Sequence, residues 1–371
     1  MVLLVWLTSY GAGGSKTVVP QLFHVPIVVA AARFGGRGAL VIALVAGVVA
    51  GPLLPLDVDA SQAQSTANWV SRLLVFVAVG QITAALHTRS IAATRERIAD
   101  GRNRADIDAA IADARIVPVY QPIVDLRSGR IEGVEALARW RAPDGRMLAP
   151  AAFIPDAERS GAIVALDRAV LDQACAQVAD WRRRGVVTAD FHVSVNLSAH
   201  HLSCGDLPAV VCATLERSGI PPESLVLEVT ETALILDPER AVARLAELKE
   251  LGVGLALDDF GVGQSSLASL ARFPIDMFKI DRSFVLGLST GEGERLMLGV
   301  IGLADILLLE GPVAEGIETM EQLQAIMQRG CHRGQGYLLA RPALAEDLEP
   351  VLRLGTITFP GEVAAPWAGS G

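Results

Sequence analysis

The residues best suited to chemistry gather in GLALDDFGVGQSSLASLARFPIDMFK, residues 254–279. An apolar run delivers two consecutive aspartates, Asp258 and Asp259, into a Phe-Gly-x-Gly turn, and a second run, residues 275–278, delivers a lone Lys279. Adjacent carboxylates leaving water at the end of a buried strand repel each other unless a cation stands between them, and a divalent metal is the simplest such cation. An isolated Asp-Asp reads equally well as a solvated turn, since carboxylates cluster in turns. Here the pattern recurs: other apolar runs end on Glu135 (GVEAL), Asn196 (VSVNLS), Glu228 with Glu231 (LVLEVTET) and Glu315 with Glu318 (VAEGIET). Hard oxygen donors of this kind suit magnesium or manganese. Zinc would call for histidine or cysteine, and none of the six histidines ends a run in this way. Two adjacent aspartates can bridge two ions about 3.5–4 Å apart, which clamps the attacking and leaving oxygens of a phosphoester displacement. A nearby lysine can orient the attacking water or offset charge on the phosphate. Residue types and spacing therefore point to metal-assisted hydrolysis of a phosphoester.

For these side chains to meet, separate strands must end at one place. From residue 117 onward, strand-like runs alternate with amphipathic helical ones. Strands are predicted at 117–124, 131–137, 191–197, 225–229, 254–257, 275–280, 312–314 and near Tyr337, and helices at 165–184, 206–218, 238–251, 265–271, 292–307 and 319–329. The alternation predicts parallel β/α units, and about eight of them predict an α/β fold closed as a TIM-like (β/α)8 barrel. In such a barrel the chemistry sits at the carboxyl ends of the strands, so the polar residues that terminate apolar runs become candidates together.

The 371 residues leave room for more than a barrel, and the mean hydropathy of +0.40 is unevenly spread. Up to Leu86 the charged residues are Lys16, Arg33, Arg37, Asp57, Asp59 and Arg72, whereas beyond His87 charges come every few positions. Stretches 18–34, 39–56 and 70–86, each about 17 residues, predict three short membrane spans over residues 1–86. Arg33 and Arg37 mark the first loop as cytoplasmic and the base-free loop with Asp57 and Asp59 as external, which puts everything after His87 inside the cell. A multi-pass membrane protein with its C-terminal domain in the cytoplasm is the expectation. The start lacks a basic leader region, so it is not read as a removed peptide. Residues 87–115 carry Ile91, Ile98, Ile107 and Ile111 at roughly helical spacing, which suits a connector helix that pairs with its own copy or a solvated linker helix. Residues 116–354 would form the barrel, and the Pro-, Gly- and Ala-rich residues 355–371 a disordered tail. The net charge of -9 excludes a general binder of nucleic-acid polymers. The four cysteines form no C-x-x-C pair and read as free thiols.

Over residues 116–350 the sequence resembles the EAL domain family, the cyclic di-GMP phosphodiesterases of bacteria, with the family motif at Glu135-Ala136-Leu137. The resemblance includes YQPIVDL at Tyr120, EALARW at Glu135, FIPDAERSG at Phe153, NLS at Asn196, LEVTET at Leu227, LDDFGVGQSSL at Leu257, FKIDRSFV at Phe278, AEGIET at Ala314 and QGYLLARP at Gln335. It implies a barrel with an antiparallel first strand, homodimer pairing, and hydrolysis of cyclic di-GMP to linear pGpG with Mg²⁺ or Mn²⁺. By matching position it implies that Glu135, Asn196, Glu228 and Asp258 hold one metal, and that Asp259 and Glu315 complete a second site with Asp258. Lys279 would contact the attacking water, and Gln335 would line the same pocket. Gln121 would meet a guanine edge and Arg139 a substrate phosphate. Glu231 would brace the loop after Asp259, and Glu318 would act from behind the ligands.

The chain departs from the family's usual DFGTGYSSL at Val262 and Gln264, and His332 stands where an aspartate is frequent. Valine cannot donate a hydroxyl hydrogen bond and glutamine has no aromatic face, so the departures bear on how the loop orders. No GGDEF-type cyclase motif occurs. Two other functions stay open: a barrel that captures cyclic di-GMP or a partner protein without turnover, and a phosphodiesterase for another nucleotide.

Overall fold

A period of two gives every strand one face toward a shared interior. In the computed structural model, which describes residues 1–12, 19–50, 53–57, 65–260, 270–288 and 290–359, this decides the C-terminal unit. Its strands are β1 (Ile116–Asp125), β2 (Ile131–Arg141), β3 (Met147–Leu148), β4 (His192–Leu197), β5 (Leu225–Thr230), β6 (Gly254–Phe260), β7 (Met277–Ile280), β8 (Val313–Ala314) and β9 (Arg333–Gly334). The order β1-β9-β8-β7-β6-β5-β4-β2-β3, with a further β1–β2 pairing, closes eight strands into a ring and leaves β3 as an appendage on β2. β1 is antiparallel to both β2 and β9, while the other neighbours around the ring are parallel. Only residues 126–130 separate β1 from β2, too few for the crossover of about a dozen residues that a parallel pair needs. Asp125 closes that turn, its Oδ1 accepting from the backbone N–H of Arg127 and of Ser128, each at 2.9 Å.

The interior is built in layers. Ile123, Val226, Ala256, Met277 and Val313 form one apolar cluster inside the ring. Two residues further toward the carboxyl-end mouth, and backward along antiparallel β1, the same strand faces carry Gln121, Glu228, Asp258, Lys279 and Glu315. A two-residue step advances about 6.6 Å and keeps the face, so one apolar layer supports one polar layer. Strand register sets the neighbours, with Gln121 opposite Glu135 and Asn196 beside Glu228. Outside the ring, helix Ile163–Arg183 buries a stripe that includes Ile163, Leu166, Val170 and Leu171. Its Trp181 meets the Tyr120 and Phe191 rings edge-on at 5.1 and 6.4 Å.

Several expectations are corrected. The eighth strand of the ring lies at Arg333–Gly334, and Tyr337 is exposed beyond it. A Cβ on Gly336 would fall 2.2 Å from the backbone N and O of Ile317, a close approach that turns the chain out of the sheet. Short helices not predicted follow several strand ends, among them Ala199–Leu202, Glu231–Leu236 and Arg282–Gly287. The expected disorder from residue 355 does not hold as far as 359: Thr356 bridges Arg130, Ile357 N donates to Gly129 O at 2.8 Å, and Ile357 and Phe359 pack on the core. Residues 360–371, Val262, Gln264 and most of the predicted helix 265–271 lie outside the described residues.

The other unit comprises Met1–Gly101. Two helices are long and apolar enough to cross a membrane, Gln21–Ala50 with 30 residues and Thr66–Arg89 with 24. The first contains stretch 18–34 from Gln21 and stretch 39–56 up to Ala50, on either side of Gly35, where φ 68° and ψ -162° break the helix. Phe23 packs on Phe76 before the break, and Arg72 donates to Ala50 O after it. The second is the start of a longer helix, Thr66–Ala112, which takes in most of the connector. Within the C-terminal unit, Ile107 and Ala110 of that helix are buried in the barrel's hydrophobic cluster and Ile111 packs against it. The side chains of Ile91 and Ile98 lie outside the described residues.

Candidate active site

Lys279 sits at the centre of the polar layer, 2% exposed. Among the described residues four carboxylates surround its Nζ: Glu315 Oε1 at 2.7 Å, Glu228 Oε2 at 2.8 Å, Glu135 Oε2 at 3.1 Å and Asp258 Oδ1 at 3.5 Å. They come from different strands or strand ends and meet because the alternation puts each on the interior face. Outside the ring, Phe278 next to Lys279 stacks on Phe260 at 4.5 Å and 6°, which fixes the two strand ends from behind. Two amides tie the carboxylates together. Asn196 Nδ2 donates to Glu135 Oε1 at 2.8 Å, and Gln335 Nε2 donates to Glu135 Oε2 at 2.6 Å and to Glu315 Oε1 at 3.3 Å.

Consecutive residues of a regular strand point to opposite faces, so Asp258 and Asp259 could not both reach the mouth from ideal β geometry. The β6–β7 register shifts between Leu257 and Phe260, and Asp259 takes φ 54°, a left-handed conformation that aspartate tolerates better than most residues. This irregularity brings one oxygen each of Asp258, Asp259 and Glu315 within 4.8 Å of one another.

One ammonium does not balance this much negative charge. Burial and the neighbouring Glu135 hold the Glu228 carboxyl well above the usual range, despite Lys279. Burial pushes Glu315 up to about 7, with Lys279 opposing and Asp258 and Glu135 adding to the rise. Burial and then Asp258 raise Asp259. Burial also acts to raise Glu135, but the Lys279 charge and the bonds from Gln335, Lys279 and Asn196 outweigh it and leave this carboxyl below its ordinary value. For Lys279 burial favours the neutral amine, yet Asp258, Glu135, Glu228 and Glu315 together hold the ammonium well above its usual range. An all-oxygen donor set carrying excess negative charge fits a hard divalent cation.

The remaining predicted residues lie around this cluster. Gln121 is buried and gives its Nε2 to Ala340 O at 3.2 Å. Arg139 donates to Ala138 O at 2.8 Å. Glu231 is buried in the first turn of helix Glu231–Leu236, which Thr230 caps by accepting from Ala233 N. Glu318 pairs with Arg282 at 2.8 Å, just beyond the end of β7. A cavity of about 570 Å³ opens from Glu135, Asn196 and Asp258 and runs past the apolar side chains Ile154, Ile163 and Leu236. Gln121 and Arg139 are not among its lining residues. Sequence reasoning passed over Asp167 and Ser198, which line the same cavity. The signal was an acidic residue on the buried stripe of helix Ile163–Arg183.

Comparison with known proteins agrees with this geometry. The bifunctional diguanylate cyclase/cyclic di-GMP phosphodiesterase MucR of Pseudomonas aeruginosa is 38% identical over 244 residues, 66% of this chain and 35% of that protein. The cyclic di-GMP phosphodiesterase NbdA of the same organism is 39% identical over 249 residues, 67% of this chain and 31% of that protein. The chain thus spans about a third of the length of these relatives. The solved cyclic di-GMP complex of the MucR phosphodiesterase superposes with a TM-score of 0.63 at 38% identity, covering 67% of this chain and 99% of that one. The EAL enzyme Bd1971 with cAMP and cyclic di-GMP bound gives 0.66 at 29% identity, covering 76% of each chain. The family model described as the EAL domain matches residues 104–342, through all the strand ends that carry the cluster, and the chain belongs to the EAL domain family.

Proposed function

We propose that the chain is a membrane-tethered, metal-dependent phosphodiesterase that opens cyclic di-GMP to linear pGpG. The observation that carries this reading is the buried Lys279 ammonium ringed by Glu135, Glu228, Asp258 and Glu315, a charge balance that calls for added cations. Glu135, Asn196, Glu228 and Asp258 would hold one Mg²⁺ or Mn²⁺, and Asp259 and Glu315 with Asp258 a second. Bound there, the ions would lower the pKa of water and offset charge on the phosphate oxygens. Lys279 orients the attacking water with N–H donors and a fixed positive charge. As the water oxygen bonds to phosphorus, one ribose 3′ oxygen leaves and takes up a proton. Gln335 holds the Glu135 and Glu315 carboxylates in one orientation through its amide. The apolar side of the cavity would accept a base face; outside its lining, Gln121 would turn from Ala340 O to meet a guanine edge and Arg139 from Ala138 O to meet a phosphate. Glu231 would brace the loop that follows Asp259, whose residues 261–269 lie outside the described ones, and Glu318 steadies Arg282.

The two apolar helices, the first with Arg33 and Arg37 on either side of its break at Gly35, support an inner-membrane protein with its barrel in the cytoplasm. Exposed Leu296, Leu298, Ile306 and Leu308, on and just after helix Gly291–Ile306, support pairing into a homodimer. Incubating the full chain in detergent with cyclic di-GMP and Mg²⁺, and separating nucleotides over time, tests the reading. Accumulating pGpG supports it. Bound but intact cyclic di-GMP supports a receptor instead, and turnover of a different nucleotide alone supports another phosphodiesterase.

A further inference from the structure

Asn196 differs from the other proposed ligands because a neutral amide is not drawn into place by charge, so the end of β4 has to hold it there. Ser198, two residues on, gives both of its donors to one oxygen of Asp167: backbone N at 3.0 Å and Oγ at 2.6 Å from Oδ2. Asp167 belongs to the buried stripe of helix Ile163–Arg183, and its side chain is 8% exposed. Ser198 Oγ also accepts from His201 N at 3.2 Å and so caps helix Ala199–Leu202. His201, 0% exposed, brings Nδ1 to 3.5 Å from the same Asp167 oxygen, and neither of its ring nitrogens has a hydrogen-bond partner among the described residues. A buried carboxylate on an apolar helix face is unfavourable unless its hydrogen bonds compensate. Here those bonds converge on the turn that leaves β4.

We propose that Asp167 is a positioning residue for Asn196: anchored in the helix, it fixes the Ser198 turn and thereby the Asn196 amide. The Nδ2 of that amide is committed to Glu135, so its Oδ1 would be the atom left to meet a cation. The inference rests on the metal-dependent reading of the site and deepens it, because it names the residue that sets the geometry of one ligand. A direct outer partner of a metal ligand is worth about 10- to 100-fold in metal affinity, and Asp167, which reaches Asn196 through Ser198, is expected at the lower end of that range.

The test is a calorimetric Mn²⁺ titration of the full chain in detergent, for wild type, Asp167→Asn and Ser198→Ala, with thermal melting and cyclic di-GMP turnover alongside. Asp167→Asn keeps the shape but replaces the carboxylate with a neutral amide whose oxygen holds the two Ser198 donors more weakly, and should weaken Mn²⁺ binding by about 10-fold, with turnover recovered as Mn²⁺ is raised. Ser198→Ala keeps the backbone donor and should also weaken binding by about 10-fold. It carries the test should Asp167→Asn fail to fold. Lower thermal stability with unchanged Mn²⁺ affinity would overturn the proposal, because a merely structural role predicts that result. Wild type that binds no Mn²⁺ would remove the metal reading and this inference with it, whereas wild-type binding matched by both variants removes the inference alone.

Discussion

Lys279 is the side chain on which the site's electrostatics turn. It lies within 3.5 Å of four carboxylates, and removing it leaves them buried without their internal cation. Breaking a buried ion pair from one side costs about 3–5 kcal/mol. Lys279→Met should therefore lower the melting temperature of the chelator-treated protein and reduce cyclic di-GMP turnover by about 100-fold or more. Melting curves and initial rates check this, and turnover within a few-fold of wild type would show that Lys279 does not touch the reacting water. At the opposite end of β4, burial and then the neighbouring Arg333 push the His192 imidazole down to about 4. In the unfolded chain the ring titrates near 6.5, so between those values the unfolded state binds the proton first. The stability from neutral His192 is fully present above about 6.5 and is lost as pH falls toward 4. His192→Gln should flatten the fall in stability across that window by at most about 1.4 kcal/mol per pH unit, read from melting temperatures in a pH series. Parallel wild-type and variant profiles would contradict the assignment.

At the scale of elements, an apolar layer lifts a polar one and local breaks in regular geometry aim particular side chains. Much of this was legible. Apolar runs that end in a polar residue marked most strand ends, because a two-residue period carries both the face and the change in polarity. The antiparallel first strand was also within reach, since residues 126–130 are too short for a parallel crossover, although only the family resemblance was used for it. β9 and the short helices were not legible, because elements of two to six residues show no period. Asp167 was missed because one acid on an amphipathic stripe reads as an imperfection until its partner Ser198 is seen. The loop at Gly336 makes a testable case. Its missing Cβ, which would fall 2.2 Å from the Ile317 backbone, is what lets the chain pass there, and Gln335 precedes it. Gly336→Ala should cost about 1–3 kcal/mol and lower turnover, since the backbone carrying Gln335 must shift. A variant that melts and turns over like wild type would remove that constraint.

At the scale of the whole molecule, the chain divides into an apolar helical unit up to Gly101 and a charged barrel unit that opens on the end of helix Thr66–Ala112. The end of that helix belongs to the barrel, because Ile107 and Ala110 are buried in its hydrophobic cluster. A fragment of residues 102–371 should therefore be more stable than one of residues 116–371 by about 2–5 kcal/mol, the usual cost of removing a buried isoleucine-sized contact. Equal urea midpoints would show that the helix end is dispensable. The central claim is that carboxylates from separate strands create a site that works only with divalent ions. The most direct test is the rate of pGpG release from cyclic di-GMP by the full chain, followed in Mg²⁺, then with excess EDTA, then with Mg²⁺ restored. The account predicts steady release, arrest and recovery. A rate indifferent to chelation, or no pGpG with any divalent ion while cyclic di-GMP stays bound, would contradict it.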